Sequence, residues 1–325
     1  MLYSATPRPG QSAAPAILPG VVQGERIGYG RRMTTPRATL FGFAAILMWS
    51  LLAVMIVASG TVPPFQLAAL TFAIGGAIGA AWVTRTGHWR ALRQKPQVWL
   101  LGVGGLFGYH ALYFIALRLA PPAEAGLLNY FWPLLIVLFS GLLPGEHLRW
   151  FSIGGALLGL AGTVILFLGK GLAPALDYAA GYGAAFCAAF VWAGYSVLSR
   201  RFVGVPTAAV AGFCLATALL AALCHVAFET TVWPADAGQW LAVVALGVGP
   251  VGIAFYAWDI GVKRGDIRLL GVASYAAPLL STFFLMLAGY ADASVTLWFA
   301  ALLIAGGGLL AAKDMLGRQT PNPSP

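Results

Sequence analysis

Apolar runs of about 20 residues, each almost free of charge, alternate with short polar joints from Ala38 to Ala312. About 20 residues of helix cross roughly 30 Å of hydrocarbon. Within lipid every backbone N–H and C=O must be satisfied inside the protein, so a chain of this rhythm is a bundle of spanning helices. Ten spans are expected: Ala38–Ser59, Pro64–Val83, Val98–Leu117, Pro122–Leu143, Trp150–Leu168, Ala179–Ser199, Thr207–Phe228, Gln239–Gly261, Leu269–Ala288 and Val295–Ala312. Composition agrees: 60% of residues are hydrophobic and 9% charged, against about 25% charged in soluble domains. A soluble enzyme, a disordered chain and a fibrous repeat are thereby disfavoured.

The formal net charge of +9 invites a nucleic-acid reading, but the positions of the cations explain it otherwise. Lys and Arg accumulate in cytoplasmic loops. With an inside N-terminus, all of the 19 Lys and Arg except Arg118 and Lys170 fall on the cytoplasmic side. Both termini are then cytoplasmic, and no soluble basic domain is left to bind nucleic acid. Residues 1–37, rich in Pro, Gly, Ser and Gln, read as a disordered cytoplasmic leader without the apolar core of a signal peptide, and Met33 is an alternative start. Residues 313–325 read as a cytoplasmic tail. Cys187, Cys214 and Cys224 sit in apolar runs and read as small buried hydrophobes, with no disulfide framework and no metal spacing.

The chain also repeats itself. A shift of 145 residues carries Gly102-Val103-Gly104 onto Gly247-Val248-Gly249, Gly126 onto Gly271, Tyr130 onto Tyr275 and Pro133-Leu134-Leu135 onto Pro278-Leu279-Leu280, while Trp49 meets Trp192 after 143. Five spans per repeat is an odd number, so the second repeat (179–312) enters the membrane opposite to the first (38–168). Inverted repeats of this kind place a substrate site near the midplane between them.

The fourth span, Ala123 to Glu146, followed by a Gly-rich fifth, resembles the EamA repeat of the drug/metabolite transporter superfamily. GYHALYF (Gly108–Phe114), LNYFWPLL (Leu128–Leu135) and YAWDIGVKRGD (Tyr256–Asp266) are similar to the YddG group of bacterial aromatic amino-acid exporters. The resemblance implies an all-α inner-membrane protein of two inverted five-helix repeats, working without a cofactor, as a monomer whose partners are lipid and a small-molecule cargo, an aromatic amino acid by resemblance. Many relatives carry an Arg late in the Pro-initiated second span; here Pro64 is followed by Thr71 and no cation.

Candidate cargo-facing residues follow from face and depth. Tyr109, His110 and Tyr113 share one face of the third span by their i,i+3 and i,i+4 spacings. At about 1.5 Å per residue, His110 and Tyr130 reach the same level near the midplane, with Trp49, Trp132 and Trp192 also away from the interfaces. Aromatic belts sit at headgroup level, and phenol, indole N–H and imidazole are costly in hydrocarbon unless paired. A ring-lined cavity without fixed charge is therefore expected, with Asn129, Tyr195, Tyr256 and Tyr275 as further wall residues, suited to a planar solute with small polar ends. The competing reading for each ring is helix packing, and for His110 a satisfied helix-to-helix hydrogen bond.

Asp259 lies near the cytoplasmic end of the eighth span with Lys263 at i+4, an order favouring an ion pair or gate contact over ion coupling. Glu124 is placed to complement the N-terminal dipole of the fourth span, and His225 reads as interfacial. Gly104, Gly105 and Gly108 in the third span, and Gly247, Gly249, Pro250 and Gly252 in the eighth, permit close approach and kinks. Backbone groups freed near Pro133, Pro250 and Pro278 either receive the carboxylate or ammonium of an amino acid or only accommodate packing. An intramembrane enzyme would need a nucleophile with its base, paired carboxylates or a metal cluster, and a channel would need a filter or charged rings; neither pattern is evident. A phosphate exchanger would carry a cation at cargo depth. Export of aromatic amino acids is the leading reading by resemblance, and hydrophobic drug or metabolite efflux the alternative. Alternating access is expected to proceed by rocking of the two five-helix halves, around a site lined by spans one, three, four, six, eight and nine.

Overall fold

The computed structural model describes residues 33–144, 148–168, 175–289 and 295–317. The first span is α1 (Thr35–Ser50) and α2 (Leu52–Ala58), the second α3 (Pro64–Thr86) and the third α4 (Pro96–Leu119). The fourth is α5 (Pro122–Asn129) with α6 (Trp132–Ser140), and the fifth α7 (Trp150–Leu168). The sixth and seventh are α8 (Ala179–Leu198) and α9 (Ala209–Phe228). The eighth joins α10 (Ala237–Val248) to α11 (Ala254–Arg264) through a π-helical turn, Gly249–Ile253. The ninth is α12 (Ile267–Ala273) with α13 (Ala276–Leu287), and the tenth α14 (Val295–Gly317). There is no strand among the described residues. Eight of these spans are long and apolar enough to cross a membrane, and shorter apolar helices at Glu124–Ser140 and Val295–Ala311 supply the fourth and tenth.

Local chemistry sets the ends. α3, α4 and α5 each begin on a proline, whose missing N–H costs nothing at a first helical position. Asp236 and Asp266 cap α10 and α12, their carboxylates accepting from Gln239 N and from Arg268 and Leu269 N. Most expected boundaries move by a few residues, and three of the shifts bear on the chain ends and on Arg85. The first helix begins at Thr35 and takes Pro36 and Arg37 out of the expected leader, because Pro is tolerated in a first turn; residues 1–32 lie outside the described part. The second helix runs to Thr86, so Arg85 sits in its last turn, where a cation complements the dipole. The last helix carries 313–317 out of the expected tail.

The repeats are interleaved. The principal helix pairs are α7 with α14, α3 with α9, α4 with α8, and α1 with α11, each joining one repeat to the other. Lipid tails are as apolar as leucine, so helices associate where small residues let backbones meet. Those meetings lie between repeats: a Cβ on Gly261 would stand 2.7 Å from Gly42 Cα, one on Gly75 2.7 Å from Gly252 Cα, and one on Gly155 2.6 Å from the Gly307 carbonyl oxygen. The two five-helix repeats are thus not separate halves in this structure. The compact groupings are spans one, eight and nine, and spans three, four and six, with pairs two–seven and five–ten beside them.

Gly306, Gly307 and Gly308 provide a test of that close packing. A Cβ on Gly307 would lie 2.5 Å from the Gly155 carbonyl oxygen, whereas Cβ atoms on Gly306 and Gly308 meet nothing within 4 Å. Gly307→Ala is expected to destabilise by about 1–3 kcal/mol through overpacking. Gly306→Ala and Gly308→Ala are expected to be neutral or to stabilise, since Ala is the better helix former by about 1 kcal/mol. Thermal denaturation of the three detergent-solubilised variants checks this; equal losses would remove the packing argument.

Candidate functional site

Four helix interruptions lie at the centre of the bundle, the first at Leu51 between α1 and α2. In the fourth span Pro133 has no N–H to give the Asn129 carbonyl, and Leu134 N donates 3.1 Å to the Tyr275 hydroxyl rather than to its own helix. The ninth span breaks at the repeat-equivalent place, Ser274–Tyr275. In the eighth, Gly249-Pro250 opens the π-helical turn, which inserts one extra residue and shifts everything after it by about 100° around the axis.

Against these bends lies a cavity of about 110 Å³. Its wall is Trp49 and Leu52 from the first span, Tyr109 and His110 from the third, Asn129, Tyr130 and Trp132 from the fourth, Trp192 from the sixth, Pro250, Val251 and Phe255 from the eighth, and Ala277 from the ninth. These are the six spans expected. Trp192 is the hub: its ring centroid lies 5.4 Å from Trp49, 5.3 Å from Tyr109 and 6.3 Å from Trp132. Edge-to-face and offset pairs at such separations are favourable for rings with negative faces and positive edges.

Hydrogen bonds fix the wall. Trp49 Nε1 donates 3.0 Å to the Pro250 carbonyl, Trp258 Nε1 donates 3.1 Å to Ser196 Oγ, and Asn129 Nδ2 donates 3.0 Å to the Tyr109 hydroxyl. His110 Nδ1 lies 2.7 Å from the Leu106 carbonyl. A carbonyl only accepts, so the proton is on Nδ1, and Nε2 is the ring's acceptor in the neutral form. Asn129 is 4% exposed, and its Oδ1 is buried without a partner.

Seven of the eleven expected wall residues come together in this way. The other four lie off it. Tyr113 stacks on Tyr109 at 6.1 Å; Tyr195 is buried beside Trp192 and against Gly105; the Tyr256 hydroxyl donates 3.0 Å to the Gly75 carbonyl; and Tyr275 accepts from Leu134. The expectation missed Phe255, because counting along a straight helix ignores the π-turn's rotation. Gly-Pro-x-Gly in mid-span was the available signal. Phe72 was missed too; it stands edge-on to His110 at 5.0 Å and stacks on Phe255 at 5.4 Å.

Beyond the cavity, toward the Lys263 end of the eighth span, Trp258 is fully buried and Asp259 Oδ1 pairs with Lys263 Nζ at 2.8 Å. Thr207 Oγ1 donates 2.7 Å to Asp259 Oδ2, and Lys263 Nζ also donates to the Val205 carbonyl. The pair thus ties the eighth span to the start of the seventh. On the other side Glu229 accepts from Phe65 N and Gln66 N at the start of α3 and pairs with Arg118 at 3.1 Å. His225, expected at an interface, bridges Glu229 and Thr231 there. Glu124 stands in the first turn of α5, where a carboxylate complements the dipole, and also accepts from the Tyr182 hydroxyl across to the sixth span. Cys214 is buried, but Cys187 is exposed, which corrects its expected burial: on a lipid-facing helix the bilayer itself supplies the apolar surroundings. There is no group of metal-ligating side chains among the described residues.

Comparison with known proteins is consistent across this architecture. The sequence model of the EamA-like transporter family matches residues 36–168 and 179–312. An aromatic amino acid exporter YddG of Ancylobacter novellus is 61% identical over 86% of this chain and 98% of its own length. The Escherichia coli protein of the same name is 28% identical over 86% and 97%. A crystal structure at 59% identity superposes with a TM-score of 0.83, covering 88% of this chain and all of the other.

Proposed function

Because the chain belongs to the EamA-like transporter family, we propose that it exports aromatic amino acids and related neutral or zwitterionic metabolites across the bacterial inner membrane. The observation that carries this reading is the cavity itself: a mid-bundle chamber walled by indoles, phenols and one imidazole, with no Lys, Arg, Asp or Glu in its lining. Planar rings stack on such walls. A relative of 61% identity bearing the name of an aromatic amino acid exporter supports the choice of cargo. Both termini are taken as cytoplasmic on the distribution of Lys and Arg, and the working unit as a monomer.

Transport then follows alternating access between spans one, eight and nine and spans three, four and six. The repeats are unequal in this structure. Tyr275 holds the Leu134 amide while its equivalent Tyr130 lines the cavity, and Trp49 holds the Pro250 carbonyl. Exchange of these roles, with Tyr130 on Leu279 and Trp192 on Gly105, would generate the opposite-facing state by the repeat symmetry. In the state described, Trp258 and the Asp259–Lys263 pair are buried beyond the cavity, on the side assigned to the cytoplasm.

Counterflow of radiolabelled tryptophan in proteoliposomes tests the reading. Trp132→Ala and His110→Ala are each expected to reduce initial rates at least about tenfold, the scale of one or two lost desolvated contacts. If both variants exchange tryptophan as the parent does, the cavity is not the cargo site.

A further inference from the structure

Resting on the transport reading, we propose that the cavity recognises its cargo through the ammonium end, so that aromatic monoamines lacking a carboxylate are cargo alongside amino acids. The polar groups of the wall include neutral hydroxyl and indole donors, but those best placed to meet a charged end are electron-rich. His110 Nδ1 is committed to the Leu106 carbonyl at 2.7 Å, which makes Nε2 an acceptor. At the bend of the fourth span, Pro133 has no N–H for the Asn129 carbonyl, and the Leu134 amide bonds Tyr275 rather than the Tyr130 carbonyl. Two main-chain oxygens thereby lose their helical donors beside two residues that line the cavity. The Asn129 side chain adds a buried Oδ1 without a partner.

The apolar wall points the same way. Trp49, Trp132 and Trp192 surround the space, and ring faces attract an ammonium most strongly when both are desolvated. A carboxylate in the same place would be a buried anion without a cation, since no Lys or Arg belongs to the wall, and its hydroxyl and indole donors carry no charge. An amine obtained by decarboxylation of an aromatic amino acid keeps both the ring and the ammonium. It therefore keeps the ring and ammonium interactions and gives up only those of the neutral hydroxyl and indole donors, and a decarboxylase is the class of enzyme that would supply it.

Three probes separate the ends of the molecule: tryptamine, indole-3-propionate and indole. Each is competed against tryptophan counterflow in proteoliposomes, and its direct binding to the detergent-solubilised protein is measured by calorimetry. Tryptamine is expected within about threefold of tryptophan, and indole-3-propionate at least about tenfold weaker, as for a site built to bond one particular group. His110→Leu is expected to weaken tryptamine about tenfold but indole less than about twofold, with His110→Gln, which keeps an acceptor, recovering most of the loss. Indole-3-propionate competing as well as tryptamine overturns the inference while leaving tryptophan transport standing. Tryptamine binding without tryptophan exchange sinks the amino-acid reading and leaves only recognition through the ammonium end standing, and binding of neither sinks both.

Discussion

Lys263→Met is expected to destabilise the protein by about 3–5 kcal/mol, the scale for leaving one member of a buried ion pair without its partner. Lys263 is 8% and Asp259 2% exposed, so neither charge is rescued by water. Asp259 would retain the Thr207 hydroxyl at 2.7 Å, a neutral donor that cannot balance it. The double variant Asp259→Leu with Lys263→Met is expected to recover most of the loss, because apolar replacement of a whole buried pair is often neutral. Thermal denaturation of the parent, both single variants and the double variant closes the thermodynamic cycle. Strictly additive losses would mean the two side chains do not act as a pair. The double variant also separates stability from gating: with the fold preserved and the tie to Val205 and Thr207 gone, its exchange rate should still differ from that of the parent.

Trp192→Ala is the second change with a large expected effect, again about 3–5 kcal/mol, as for other buried aromatic truncations. The side chain is 4% exposed and contacts Phe255 at 5.9 Å and Trp258 at 6.2 Å besides Trp49, Tyr109 and Trp132. Ring pairs of this kind add about 0.5–1.5 kcal/mol each beyond burial. Tryptophan exchange should fall with it, since the wall loses its hub. Trp192→Phe is expected to keep most of the stability but not the affinity, separating packing from cargo contact. Trp298→Ala is the control: that ring is 70% exposed on the tenth span and should alter neither melting nor exchange. If Trp298→Ala and Trp192→Ala behave alike, the central ring cluster has no special role.

Much of the site was legible because membrane depth is a one-dimensional quantity. Counting about 1.5 Å per residue from the ends of apolar runs placed Trp49, His110, Tyr130, Trp132 and Trp192 at one level, and the structure brings those five to one cavity. Counting says less about which way a ring faces. Tyr130 and Tyr275 are equivalent in the repeat, yet one lines the cavity and the other is spent on the Leu134 amide. Tyr256 and Phe255 are neighbours, and the π-turn decided between them.

The sequence by itself determined the number of spans and the register of the repeats, since both follow from run length and self-similarity along a line. It also determined that Asp259 and Lys263 would pair, because four residues of helix bring them together. Only the tertiary structure decided that the repeats interleave, that glycine crossings join one to the other, and that symmetric partners make asymmetric bonds. Those outcomes depend on how ten nearly uniform apolar surfaces fit together in a solvent as apolar as themselves, where fine packing rather than hydrophobicity selects the neighbour.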